Sequence, residues 1–130
     1  MKTIERAIGE TFAQVGVRAA RLAGSEDYVR VVGLEKVAGG GNFTFVRPEA
    51  SSRIEFQADI GRQILHFYAL AEAQLPKEKA YAAVNAVSNE DAAYIAGMMD
   101  GPPLSAQEVN RVEIMMAKAL LKATSVYIPL

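Results

Sequence analysis

His66 is the only histidine in the sequence, and cysteine is absent. A zinc site built on His66 would need three carboxylates to complete its shell, a poor set for that ion. Without thiols, disulfides, zinc-thiolate and iron–sulfur sites and cysteine nucleophiles are excluded. A Ser-His-Asp triad needs a serine presented on a sharp strand-to-helix turn, and no G-x-S-x-G stretch occurs. His66 lies between Leu65 and Phe67, which reads as the boundary of an apolar helix face. A pocket at His66 and Tyr68 would make the chain a small-ligand binder or an enzyme, and this is the third reading of function.

The one glycine cluster, Gly39-Gly40-Gly41, is followed by Asn42 and Phe43. A phosphate-binding P-loop needs a lysine and a hydroxyl after its last glycine, and a dinucleotide fingerprint needs a helix there. Here two β-branched, aromatic runs flank the glycines, Tyr28–Val32 and Phe43–Val46, so the spacing predicts a β-hairpin with a flexible tip. The tip amides, Asn42 and the neighbouring arginines Arg30, Arg47 and Arg53 are candidate ligand- or partner-binding residues. If those arginines converge with Arg18 and Arg21, three apart on the first helix, and with Tyr28 and Phe43 or Phe45 as stacking surfaces, they would bind an anion, a nucleotide or RNA. The competing reading pairs them with Glu26, Asp27, Glu35 and Glu49 on an ordinary mixed surface.

Carboxylates do not repeat at helical spacing. Glu5 and Glu10, like Glu108 and Glu113, are five apart, and Glu90-Asp91 are neighbours that point about 100° apart on a helix. No metal or cofactor and no catalytic residue is expected. Tyr81–Ile95 has the outline of a helix-turn-helix. It carries Ala86 where the turn usually has glycine, and Asn89-Glu90-Asp91 would set negative charge against phosphates.

Several helices must position these residues. Ile4, Ile8, Phe12, Val15, Ala19 and Leu22 recur at three and four, which predicts an amphipathic helix over residues 3–23 ended by Gly24-Ser25. Pro48 stops the second strand. Ser52-x-x-Glu55 resembles a capping box and opens a helix from about residue 53, although Arg53–Gln57 also alternates like a strand. Pro76, Ser88-x-x-Asp91 and Ser105-x-x-Glu108 mark three further helix starts, with Pro102-Pro103 as a break. The last helix should turn Val109, Val112, Met116, Ala119 or Leu120, and Ala123 inward, and Tyr127–Leu130 is an apolar tail.

The chain has 130 residues, 51% hydrophobic and 22% charged, enough for one globular core spanning 1–130. Its formal net charge is −1, so nothing forces nucleic-acid binding. The start, MKTIERAIGETFAQ, lacks the apolar core of a signal peptide, and no run reaches the ~18 residues that span a bilayer. The expected fold is α+β and helix-dominated. An N-terminal helix and β-hairpin (residues 1–50) pack on about four C-terminal helices (51–130). The leading functional expectation is a non-enzymatic, cytoplasmic protein that acts through another protein, as adaptors, inhibitors and immunity proteins do. A homodimer is favoured by the apolar, alanine-rich composition.

Overall fold

The chain opens with a strand. In a computed structural model that describes residues 1–35 and 41–124, Lys2–Glu5 forms β1 and Phe12–Ser25 forms α1. The single helix expected over residues 3–23 is thereby corrected. Gly9, at φ +81°, closes a turn in which the Glu10 N–H donates to the Ala7 carbonyl at 3.1 Å. That left-handed conformation is one glycine adopts without steric cost. Thr11 then starts the helix. Its Oγ1 accepts from the Gln14 N–H at 3.1 Å, and the Gln14 side-chain oxygen accepts from the Thr11 N–H at 2.8 Å. This reciprocal cap satisfies two otherwise orphaned amides. The Ile4–Ile8–Phe12 spacing is therefore not one helical face: Ile4 and Phe12 are buried, and Ile8 stands in solvent.

The hairpin is present, with β2 at Tyr28–Val32 and β3 at Phe43–Val46 paired antiparallel, Val29 opposite Phe45. β1 adds to it in parallel, with Ile4 opposite Val31, giving the sheet order β1-β2-β3. A parallel pair needs a crossover, and α1 supplies it. Ile4, Val29, Val31 and Phe45 are buried beneath the helices. Residues of the opposite parity, Thr3, Tyr28, Thr44 and Val46, are exposed. At the outer edge of β3, Gln63 caps Val46: its amide accepts from the Val46 N–H and donates to its carbonyl, both at 2.6 Å. A capped edge position resists strand addition by other chains. Gly39 and Gly40, Lys36 and the tail 125–130 lie outside the described residues.

Four helices follow, as expected: α2 (Arg53–Ala71), α3 (Lys77–Ala86), α4 (Asn89–Met98) and α5 (Ala106–Thr124). The serines mark three of the starts. Ser52, Ser88 and Ser105 each accept from the backbone N–H three residues on, at 3.2 Å. Residues 53–57 are helical, which settles the strand-or-helix ambiguity there. From Ile64 to Ala71, α2 is buried almost all round, so it is the axis of the molecule. Met99 and Met116 are fully buried, as are Val109, Val112 and Leu120 on the inward stripe expected for α5. Among the described residues no helix is long and apolar enough to cross a membrane.

Two glycines set the distances to α2. A Cβ on Gly16 of α1 would lie 2.5 Å from Cδ1 of Phe67, a ring that has some freedom to shift. A Cβ on Gly61 would lie 2.6 Å from the Ala92 carbonyl carbon of α4, and nearer still to its oxygen. Backbone there cannot yield without moving a helix. Gly61→Ala is expected to lower the unfolding free energy by roughly 1–3 kcal/mol through overpacking. Gly97→Ala, on α4 with nothing within 4 Å of its added carbon, should be neutral or stabilising by up to about 1 kcal/mol. Urea denaturation of the two variants checks this contrast.

Candidate functional site

Ile8 is the most exposed large apolar side chain described, at 107% of its reference area. A loop that presents an isoleucine to water is informative only if the loop is held, and this one is. The Glu10 carboxylate accepts from the Ala7 N–H at 3.1 Å and from Arg18 at 2.5 Å. Arg18 also donates to the Glu5 carbonyl at 3.1 Å, and Arg6 Nε donates to the Glu10 carbonyl at 2.5 Å. The Arg6 guanidinium sits 4.3 Å from the centre of the Phe12 ring, a cation–π contact. Two arginines and one glutamate thus brace both ends of the turn that carries Ile8.

Beside Ile8 lies a cleft of about 840 Å³ between α1 and the segment entering α5. Val17 and Leu22 form its α1 wall, and Pro103, Leu104 and Val109 form the other. Gln14, Arg18 and Arg21 line its α1 side, with Glu10 at the end near the turn. The Pro102-Pro103 break therefore does more than end α4: it places Leu104 opposite α1. An apolar floor with a polar, partly charged rim is the usual anatomy of a protein-binding patch.

The residues singled out in the sequence fall elsewhere. His66 is half-buried against Phe43 (ring centres 5.4 Å apart, edge-on) and Tyr81 (6.0 Å). Its Nε2 has no hydrogen-bond partner, and burial, with Lys77 nearby, holds its pKa below the ordinary value. Tyr68 is buried, and its hydroxyl pKa is pushed up to about 12 by burial and by the Glu113 and Glu72 carboxylates. Glu72 in turn accepts from the Ala13 N–H at 3.0 Å, capping α1 from the far end of α2. Neither His66 nor Tyr68 lines the cleft beside Ile8.

The hairpin arginines are on different surfaces. Arg30 lies on the sheet face away from the helices, opposite Thr44. With its amide oxygen turned toward the guanidinium, Asn42 accepts from Arg30 Nη2 and Nε. Arg53 is the first residue of α2 and lines a second cleft against α1 and α4. Arg47 follows β3, its backbone N–H donating to the Asp27 carbonyl at 2.7 Å. Gly41, at φ +109°, accepts from the Leu34 N–H at 3.3 Å. So Arg30 and Asn42 are brought together, while Arg30 and Arg53 are not. In the helix-turn-helix outline, Arg62 of α2 clamps the turn by donating to the Val87 carbonyl and to Asn89 Oδ1, both at 2.7 Å. Among the described residues no three His, Asp or Glu side chains converge as a metal site would require.

Comparison with protein-family models, with curated proteins and with solved structures finds no match. The geometry of the clefts alone carries the functional argument.

His66 also makes the fold pH-sensitive. Its folded pKa is below 6.5, so the unfolded chain takes up the proton first as pH falls, and stability declines below about pH 6.5 until the folded form also protonates. Asp59 and Glu113, both raised by burial, act in the opposite sense at lower pH. The difference between wild type and His66→Gln isolates the histidine. Urea unfolding from pH 7.5 to 5.5 should show a shallower loss of stability in the variant.

Proposed function

We propose that this chain is a small, non-enzymatic binding protein of adaptor or inhibitor type, working in the cytoplasm. It docks an apolar segment of another protein in the cleft between α1 and the start of α5, with Ile8 as the anchor. The observation that carries this reading is the exposure of Ile8 on a hydrogen-bonded turn beside an apolar cleft. A backbone turn already braced before binding loses little conformational entropy on association, so the apolar area of the side chain it carries is converted efficiently into affinity. A mobile loop would lose part of that gain to ordering. The nucleotide- or RNA-binding alternative has no comparable support, because Arg30 is engaged by Asn42 and Arg53 belongs to a different surface.

Burying one isoleucine contributes about 1.5–3 kcal/mol, so its loss is worth roughly 10- to 100-fold in affinity. Ile8→Asp should therefore lose a partner retained by the tagged wild-type protein in a pull-down from native lysate. Tyr94→Asp, an equally drastic change at an exposed position on α4, should keep it. Light scattering on the purified protein separates partner binding from self-association through the same cleft. Equal capture by both variants, or capture lost only in Tyr94→Asp, would rule out docking at Ile8.

A further inference from the structure

A second cleft, of about 610 Å³, adjoins the first at Arg21 and lies between the last turns of α1, the first turns of α2 and the end of α4. Its floor is apolar: Ile64 and Met99 are buried, and Phe56 and Ile60 are half-buried along it. That volume is within the range that encloses a drug-sized molecule. Two guanidiniums, Arg21 from α1 and Arg53 from α2, line it, both exposed. Neither has an ion-pair partner among the described residues. Asp100 is the one acid lining the cleft, so the local charge is two positive against one negative.

The place of Arg53 is the telling feature. Arg21 lies in the second half of α1, just before its last turn, where the helix dipole has little effect. Arg53 is the first residue of α2, at the positive end, where a cation is disfavoured. The one acid in that first turn, Glu55, is turned away from it, accepting from the Ser51 N–H at 3.2 Å and from its hydroxyl at 2.7 Å. Arg53 thus breaks a local electrostatic rule, neither Glu55 nor Asp100 forms an ion pair with it among the described residues, and such breaks concentrate at binding sites. An anion held between Arg21 and Arg53 supplies the compensation, since a carboxylate matches the planar guanidinium fork. The apolar floor beyond it takes a hydrocarbon chain.

We infer that the cleft between α1, α2 and α4 binds an amphipathic monocarboxylate. Its head group is held by Arg21 and Arg53, and its apolar chain lies on Phe56, Ile60, Ile64 and Met99. This site adjoins the cleft beside Ile8 at Arg21, which lines both, but the inference does not rest on the docking of a partner there. A dianionic head group fits less well, because Asp100 faces the same space.

The probes are decanoate, decanol and decyltrimethylammonium, each titrated below its micellar concentration into the ¹⁵N-labelled protein. Decanoate should move the amide signals of Gly24, Ser25, Arg53, Gln57 and Asp100 saturably, and bind on the order of tenfold more tightly than the other two. Arg53→Gln and Arg21→Gln should each weaken decanoate by about tenfold while leaving decanol binding unchanged. Both arginines are exposed, so both variants should fold, which circular dichroism checks. Three outcomes would overturn the inference. The first is equal affinity for all three probes, the second is decanoate binding indifferent to both substitutions, and the third is no binding or signal changes confined to the Ile8–Leu104 cleft.

Discussion

The approach of Gly61 to the Ala92 backbone sets the geometry of the helical layer. α2 and α4 come so close there that no side chain fits between them. At that distance Ala92 and Ile95 are sealed against α2, and the end of α4 delivers Met99 to a buried position beside Ile64. On another side of α2, Gly16 admits the edge of Phe67, which fixes how near α1 can lie. Phe67 is itself stacked into a cluster with Phe43 and Phe45 of the hairpin, with ring centres 5.5 and 5.7 Å away. One helix therefore relates the sheet, α1 and α4 through two positions that lack a side chain. Close-packed interiors transmit such constraints because they have little free volume to absorb them.

Both clefts follow from that arrangement, since α1 is a wall of each and Arg21 lines both. On one side, α1 faces the proline-terminated entry to α5, and a turn braced by Glu10, Arg18 and Arg6 projects Ile8 into solvent. Past Arg21, nearer its C-terminal end, it faces the start of α2, where Arg53 sits at the wrong end of a helix. The two sites differ in chemistry. The first is an apolar floor beside a braced, isoleucine-bearing turn, and the second is an apolar floor rimmed by two arginines and Asp100.

Much of the fold was legible because its signals are local. A serine followed by an acidic residue at the third place beyond it marks a helix start wherever tertiary contacts do not intervene, and α2, α4 and α5 obeyed it. The hairpin was likewise written in two β-branched, aromatic runs around glycine. The error at residues 3–23 arose because apolar spacing at three and four can occur by chance across a strand, a turn and a helix. Gly9 and the Thr11-x-x-Gln14 cap were the contrary signals, and they outweigh periodicity because each has a specific backbone requirement. β1 was missed for a further reason: its four residues pair only with β2, more than twenty positions away, and nothing local specifies that. The candidate sites were less legible still. His66 stood out by rarity alone, yet it fills a space between Phe43 and Tyr81. Arg21 and Arg53 were legible as members of an arginine set, but not which of that set line one cleft; Ile8 and Leu104 carry no local signal, because their placement depends on which elements face one another.

Placing a photo-crosslinking benzoylphenylalanine at position 8, in the cells that make the protein, tests the docking site most directly. Illumination is expected to yield a covalent adduct with one discrete protein, absent when Leu104 across the cleft is changed to aspartate. The same adducts from position 94, or none from position 8, would contradict a docking role for the cleft beside Ile8.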